Sequence, residues 1–158
     1  MVTGLNDVPE DRLRAELAGC CAARSWLDAL LAGRPYADRE ELFALSDKAI
    51  AELTDAGLAE ALAAHPRIGE RTDDARSRQE QAGVASAGAG LQAELAAANA
   101  AYEQRFGQVY LVCATGRSAQ ELLDICRSRL ANDPVTERAI VLGELAGITR
   151  LRLGRLVS

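Results

Sequence analysis

The chain has 158 residues, 49% hydrophobic and 26% charged, a size that predicts one domain able to bury a core without disulfide or metal staples. Charged residues interrupt each apolar stretch well short of the roughly 18 needed to cross a bilayer. The opening MVTGLNDVPEDRLR has the character of neither a signal nor a transit peptide, so the expectation is a cytoplasmic protein. A net charge of −5 and a pI near 5.0 speak against a nucleic-acid or anionic-membrane partner.

From Arg117 onward seven Arg stand against five acidic residues, so an anionic ligand would be met in the C-terminal third. Cys20, Cys21, Cys113 and Cys126 form no CxxC, and the adjacent pair fits disulfide geometry poorly. Free, mostly buried thiols are expected. The single His65 has no Cys at ligand spacing, so no metal site is expected.

Almost every segment reads as helix. Pro9 suits a first turn, followed by Leu13, Leu17 and Cys20 at helical spacing. Trp26, Leu27, Leu30 and Leu31 mark a second helix that stops at Gly33-Arg34-Pro35. Asp38 caps a third, with the apolar stripe Leu42, Leu45, Ala49, Ile50 and Leu53. Leu58 and Leu62 lie in a fourth, ended by His65-Pro66 because a residue before Pro avoids the helical region.

Pro66 to Asp74 lacks apolar periodicity, and from about Ala75 a short polar helix carries Ser77, Glu80 and Gln81. Gly83 to Gly90 reads as a connector. Leu91, Leu95, Ala98, Tyr102 and Phe106 mark a longer helix ending at Gly107. Gln108 to Cys113 (QVYLVC) is strand-like but has no partner strand, so it reads as a buried extended segment near 108–113.

Ser118 with Glu121 forms a capping box for a helix whose inner face is Leu122, Ile125, Cys126 and Leu130. Asn132 closes it, and Asp133-Pro134 opens the last helix, which runs through Ile140, Leu145, Ile148, Leu151 and Leu156. The expected architecture is an all-α, single-domain bundle of about seven or eight helices over residues 1–158.

His65 sits at a helix C-terminus, where a cation is favoured by the dipole, and otherwise reads as a capping or surface residue. Ser77, Glu80 and Gln81, at i, i+3 and i+4, share one helical face. That face offers a hydroxyl, a carboxylate and an amide to a small ligand rich in N–H and C=O groups; the plainer reading is a solvated polar face. Arg117, between a Gly turn and a capped helix, is placed to hold an anion, or is simply surface. Arg150, Arg152 and Arg155 would ordinarily form a solvated stripe.

In chain order, His65-Pro66-Arg67-Ile68-Gly69, Ser77-Arg78-Gln79-Glu80-Gln81-Ala82-Gly83, Asn99 with Tyr102 through Phe106-Gly107, and Val112-Cys113-Ala114-Thr115-Gly116-Arg117-Ser118 are followed by Arg129-Leu130-Ala131-Asn132-Asp133. Ile148-Thr149-Arg150-Leu151-Arg152-Leu153 completes the series. From about His65 to its end, the chain thereby resembles the 2-oxo-4-hydroxy-4-carboxy-5-ureidoimidazoline (OHCU) decarboxylases of urate breakdown. The N-terminal helices agree in general character.

This resemblance implies an all-helical homodimer that acts on a small molecule without metal or organic cofactor and makes (S)-allantoin and CO₂. It places the catalytic His on His65 and the Ser-x-x-Glu-Gln residues on Ser77, Glu80 and Gln81, with Glu80 catalytic. Pro66 and a backbone-lined wall of Val109, Leu111 and Val112 join the substrate-binding set. The Arg of the last helix falls on Arg152, with Arg150 a nearby alternative. Gln108-Val109 stands where many members carry an aromatic-Pro pair, and the link from Gly69 to Ser77 is short. A non-catalytic helical interaction domain, or an enzyme for a related ureido or hydantoin compound, is the competing reading. Retention of His65, Ser77, Glu80, Gln81 and Arg152 together argues against both.

Overall fold

The computed structural model of the chain describes residues 2–69, 75–85 and 87–157. These residues form helices and connections, with no strand among them, as expected of an all-α protein. In chain order the helices are α1 (Val2–Asn6), α2 (Glu10–Ala18), α3 (Arg24–Ala32), α4 (Arg39–Ala51) and α5 (Asp55–Leu62). They continue with α6 (Ala75–Glu80), α7 (Ala82–Ala85), α8 (Ala89–Phe106), α9 (Ala119–Arg129) and α10 (Pro134–Val157). The two beyond the eight read from the sequence are short: α1, and α7 in what reads as a connector.

Contacts divide the helices into two compact units, Met1–Ala64 with Leu145–Ser158, and His65–Glu144. In the first, α3 packs on α2, α4 and α5. Leu13, Leu17, Trp26, Leu30, Leu42 and Ile50 are buried there. Pro9 stands at the N-cap of α2 rather than inside its first turn. The Asp38 side chain accepts the Glu41 N–H at the start of α4, as its sequence predicts. Trp26 donates its indole N–H to the buried Ser46 hydroxyl at 3.0 Å, so the polar end of the largest core side chain is satisfied within the core.

The second unit is built on α8 against α9. Its core joins Ile68, Val84, Leu95, Ala98, Tyr102, Tyr110, Val112, Leu122, Leu123 and Cys126. The capping box of α9 is present in both directions: Ser118 accepts from the Glu121 N–H and Glu121 from the Ser118 N–H. Gly107, at φ +70°, ends α8 in the left-handed conformation. Between them, residues 109–114 run as a non-helical segment with Tyr110, Leu111, Val112 and Ala114 buried, which matches the buried stretch read from QVYLVC.

The last helix runs as expected, but only some of its Leu and Ile positions face inward. Val141, Leu145, Ile148, Thr149, Arg152, Leu153 and Val157 are buried, whereas Leu151 is exposed and Ile140 and Leu156 are half-buried. A stripe at three- and four-residue intervals from Val141 passes through Arg152 and misses Leu151. The inward face thus carries an arginine, which apolar counting alone does not choose. All four cysteines are free thiols, with Cys20, Cys21 and Cys126 buried and Cys113 half-buried, as expected. Among the described residues no helix is long and apolar enough to cross a membrane.

Candidate active site

Two residues beyond the C-cap of α5, the chain enters the strip His65-Pro66-Arg67-Ile68-Gly69. With no helix or ladder of its own, it is tied down by side chains. Arg67 pairs with Glu103 of α8 at 2.7 Å. The buried Asn99, one turn earlier on α8, donates Nδ2–H to the Ile68 carbonyl at 2.7 Å. The Gly69 N–H donates to Oε1 of Gln81 at 2.8 Å. Gly69 has φ +87°, a conformation that glycine adopts at little cost. His65 and Pro66, both half-buried, lead a strip fixed at these three points.

Ser77 and Glu80 project from α6 and are buried, 3% and 9% exposed. A solvated polar face is therefore not what this helix presents. A carboxylate that deeply placed needs partners or a task. Gln81, half-buried just past α6, spends its amide oxygen on Gly69, so it shapes the His65 strip as well as bordering α6. The short link before Ser77 lies in residues 70–74, outside the described residues.

The segment 109–114 is held from its far side. Arg129, the last residue of α9, donates NH1 to the Leu111 carbonyl at 2.8 Å. Its Nε and NH2 meet Glu137, in the first turn of α10. Tyr102 donates its hydroxyl to Glu137, as does the Asn132 amide at 3.2 Å. The guanidinium lies between the Tyr102 and Tyr110 rings, 5.6 and 5.1 Å from their centroids. Burial alone would raise the Glu137 pKa, but the hydrogen bonds from Arg129, Tyr102 and Asn132 outweigh it and hold the carboxyl below its usual range.

Burial raises the Tyr102 and Tyr110 phenols, which stay protonated. Cys113 is raised chiefly by burial, and the charges of Glu144 and Glu80 add to it while Arg117 opposes. Arg117 donates Nε–H to the Cys113 carbonyl at 3.1 Å, so it braces the wall and is not simply surface. At Gly83 in α7 an added Cβ would lie 2.4 Å from the Arg117 carbonyl; backbone meets backbone there, and only glycine fits.

His65, Pro66, Ser77, Glu80, Gln81, Val109, Leu111 and Val112 all belong to the second unit. Arg152 belongs to the first. It is 7% exposed, donates NH1 to the Gly19 carbonyl at 3.3 Å, and its charge reaches Cys21, whose thiol burial raises. Arg150 is exposed, paired with Asp47 and stacked on Phe43. Of the two arginines, Arg152 is the one drawn inward. Among the described residues no three His, Cys, Asp or Glu side chains gather as metal ligands. Sequence reasoning assigned no role to Asn99, Arg129 or Glu137. Their signal is a polar residue recurring on the apolar face of a helix, visible for Asn99 between Leu95 and Tyr102.

An all-helical chain with a buried Ser-x-x-Glu pair and a side-chain-braced His-Pro strip has the character of a small-molecule enzyme. Residues 6–154 match the family model described as OHCU decarboxylase, and the chain belongs to that family. It is 32% identical over 137 residues to the 2-oxo-4-hydroxy-4-carboxy-5-ureidoimidazoline decarboxylase of Amia calva, covering 82% of this chain and 78% of that protein. It is 30% identical over 148 residues to the uric acid degradation bifunctional protein TTL of Arabidopsis thaliana, covering 88% of this chain. The chain spans less than half, 45%, of that plant protein. A crystal structure of OHCU decarboxylase in the presence of (S)-allantoin superposes with a TM-score of 0.79 at 26% identity, covering 89% of this chain and 96% of the other.

Proposed function

We propose that this chain catalyses the cofactor-independent decarboxylation of OHCU to (S)-allantoin and CO₂ in urate catabolism, a carboxy-lyase reaction. The family match across residues 6–154 carries this reading. The burial of Ser77 and Glu80 supports it, because a merely solvated helix face has no reason to hide them.

The substrate bears a hydroxyl and a carboxylate on one ring carbon, beside a carbon in a C=N-type bond. As the bond to the carboxylate breaks, its electron pair forms a C=C bond to that carbon and the C=N pair moves onto nitrogen, which takes a proton, so the substrate is its own electron sink. His65 acts as acid/base at the hydroxyl and carboxylate. Glu80, with Ser77 and Gln81, anchors ring and ureido N–H and C=O groups. Pro66 and the main chain of Val109, Leu111 and Val112 line the ligand. Arg152 binds carbonyl or carboxylate oxygens. Protonation of the resulting enol at the neighbouring carbon on one face, with loss of the hydroxyl proton, gives the S product. In this reading residues 1–158 act as one OHCU decarboxylase-like helical domain, as a homodimer in the cytoplasm.

The test is circular dichroism of allantoin formation from freshly generated OHCU, with the chain and with its His65→Ala variant. Rapid growth of the (S)-allantoin signal, lost on substitution, is expected. Racemic product forming no faster than without protein overturns the reading.

A further inference from the structure

Four parts of the second unit meet in one buried cluster: Tyr102 of α8, Arg129 of α9, Glu137 of α10, and the segment carrying Tyr110 and Leu111. Arg129 and Glu137 are 4% and 1% exposed. A buried ion pair is weak evidence for stability, since apolar residues of similar volume often do as well. What apolar residues would not supply is the hydrogen bond from NH1 to the Leu111 carbonyl.

Among the described residues the one cis peptide bond is Arg34-Pro35, so the Leu111–Val112 peptide is trans. In a planar trans peptide the C=O and the following N–H point in opposite directions. Fixing the Leu111 oxygen on Arg129 therefore turns the Val112 N–H away from the cluster. Among the described residues no protein acceptor meets that N–H, although Val112 is 3% exposed. A buried main-chain donor is normally paired.

We propose that Arg129, locked by Glu137, is a positioning residue for the decarboxylation: it orients the Leu111–Val112 peptide so that the Val112 N–H donates to an oxygen of the ligand. This rests on the functional reading above and extends it to residues that touch no substrate. Glu137, Tyr102 and Tyr110 hold the guanidinium so that NH1 serves the wall while Nε and NH2 are engaged by Glu137. Lysine, a point charge without the planar fork, does not reproduce this.

The experiment follows the backbone ¹H–¹⁵N signal of Val112 during titration with (S)-allantoin, alongside kcat and KM for OHCU. In the unaltered chain the Val112 proton moves downfield on binding. In the double variant Arg129→Met, Glu137→Gln, which leaves no lone buried charge, that movement is lost while the Gln81 signal still responds. Its kcat/KM falls about tenfold, the loss expected for one mis-aimed hydrogen bond, and the thermal midpoint changes little. Arg129→Lys gives the same pattern and serves if the double variant does not fold. A Val112 signal unmoved by ligand in an active, unaltered chain overturns the proposal, as does a folded variant with full kcat/KM. An unaltered chain that turns over no OHCU overturns the functional reading itself.

Discussion

Asn99, buried on α8, holds the carbonyl of Ile68 at 2.7 Å, so a helix that carries none of the proposed catalytic groups fixes the strip that begins with His65. Its Oδ1 is buried without a protein partner among the described residues. The donor half of the amide is thus the half in use. Asn99→Ala is expected to cost about 1–3 kcal/mol by stranding the Ile68 oxygen. Asn99→Asp, nearly isosteric, presents only acceptors to that oxygen and is expected to cost more. Some of that loss returns at low pH, when the introduced carboxyl regains a proton and donates. Urea denaturation at two pH values checks both.

Gln81 offers a way to separate shaping from binding. Its oxygen accepts the Gly69 N–H at 2.8 Å. Gln81→Glu keeps that acceptor and loses the amide donor, whereas Gln81→Leu loses both. The Leu variant is expected to be less stable by about 1 kcal/mol, and the Glu variant by less, since the amide N–H it gives up reaches the Arg67 carbonyl only at 3.5 Å. If the amide donor also meets substrate, kcat/KM falls about tenfold in both. Steady-state kinetics beside thermal melts distinguishes the two effects.

Glu137 sets an acid limit. Its folded pKa is depressed, although burial opposes this, because the bonds from Arg129, Tyr102 and Asn132 prevail. A depressed carboxylate contributes stability that is fully present above its unfolded pKa of about 4.3 and is lost as pH falls through the lower folded value. The chain should lose stability below about pH 4.3 more steeply than Glu137→Gln, whose stability at neutral pH is already reduced. Removing the carboxylate leaves the buried Arg129 charge uncompensated, at a cost of about 3–5 kcal/mol. Denaturation midpoints between acid and neutral pH test the difference in slope.

Gly83→Ala is expected to be disproportionately harmful for one methyl group. The new Cβ would stand 2.4 Å from the Arg117 carbonyl, and backbone on both sides has little freedom to yield. A loss of about 1–3 kcal/mol is expected, or several degrees in thermal midpoint for a chain of this size. Gly88→Ala, with nothing within 4 Å of an added Cβ, is the control.

Local signals were legible wherever one residue decides the outcome. Asp38 at the start of α4, the Ser118–Glu121 box and Gly107 after α8 all act through their own backbone neighbourhood, so sequence spacing suffices to find them. The unladdered stretch at 109–114 was legible too, because a strand-like run without a partner has to be something else. What escaped was inward polarity. Arg129 and Glu137 look like ordinary helix-surface charges, and only the three-dimensional meeting of α8, α9 and α10 reveals that they neutralise each other. The inward face of the last helix is hidden from apolar counting for a related reason. Leu151 is apolar and Arg152 is not, yet Arg152 faces inward, with its guanidinium on the Gly19 carbonyl. For Ser77 and Glu80 the pattern named the residues, and burial then separated a recessed face from a solvated one.

A helix consumes its own peptide groups, so an all-helical protein has few of them left to recognise a ligand. The stretch 109–114 is an exception: its amides and carbonyls are not committed to a helical ladder, and Arg129 and Arg117 hold it in shape by two of its carbonyl oxygens. Main-chain groups are the same whatever side chains they carry, proline alone lacking the N–H. In the proposed reading a recognition surface written in backbone tolerates drift that would ruin one written in side chains, and Val109, where the resemblance leads one to expect proline, keeps the carbonyl of that position and adds an N–H.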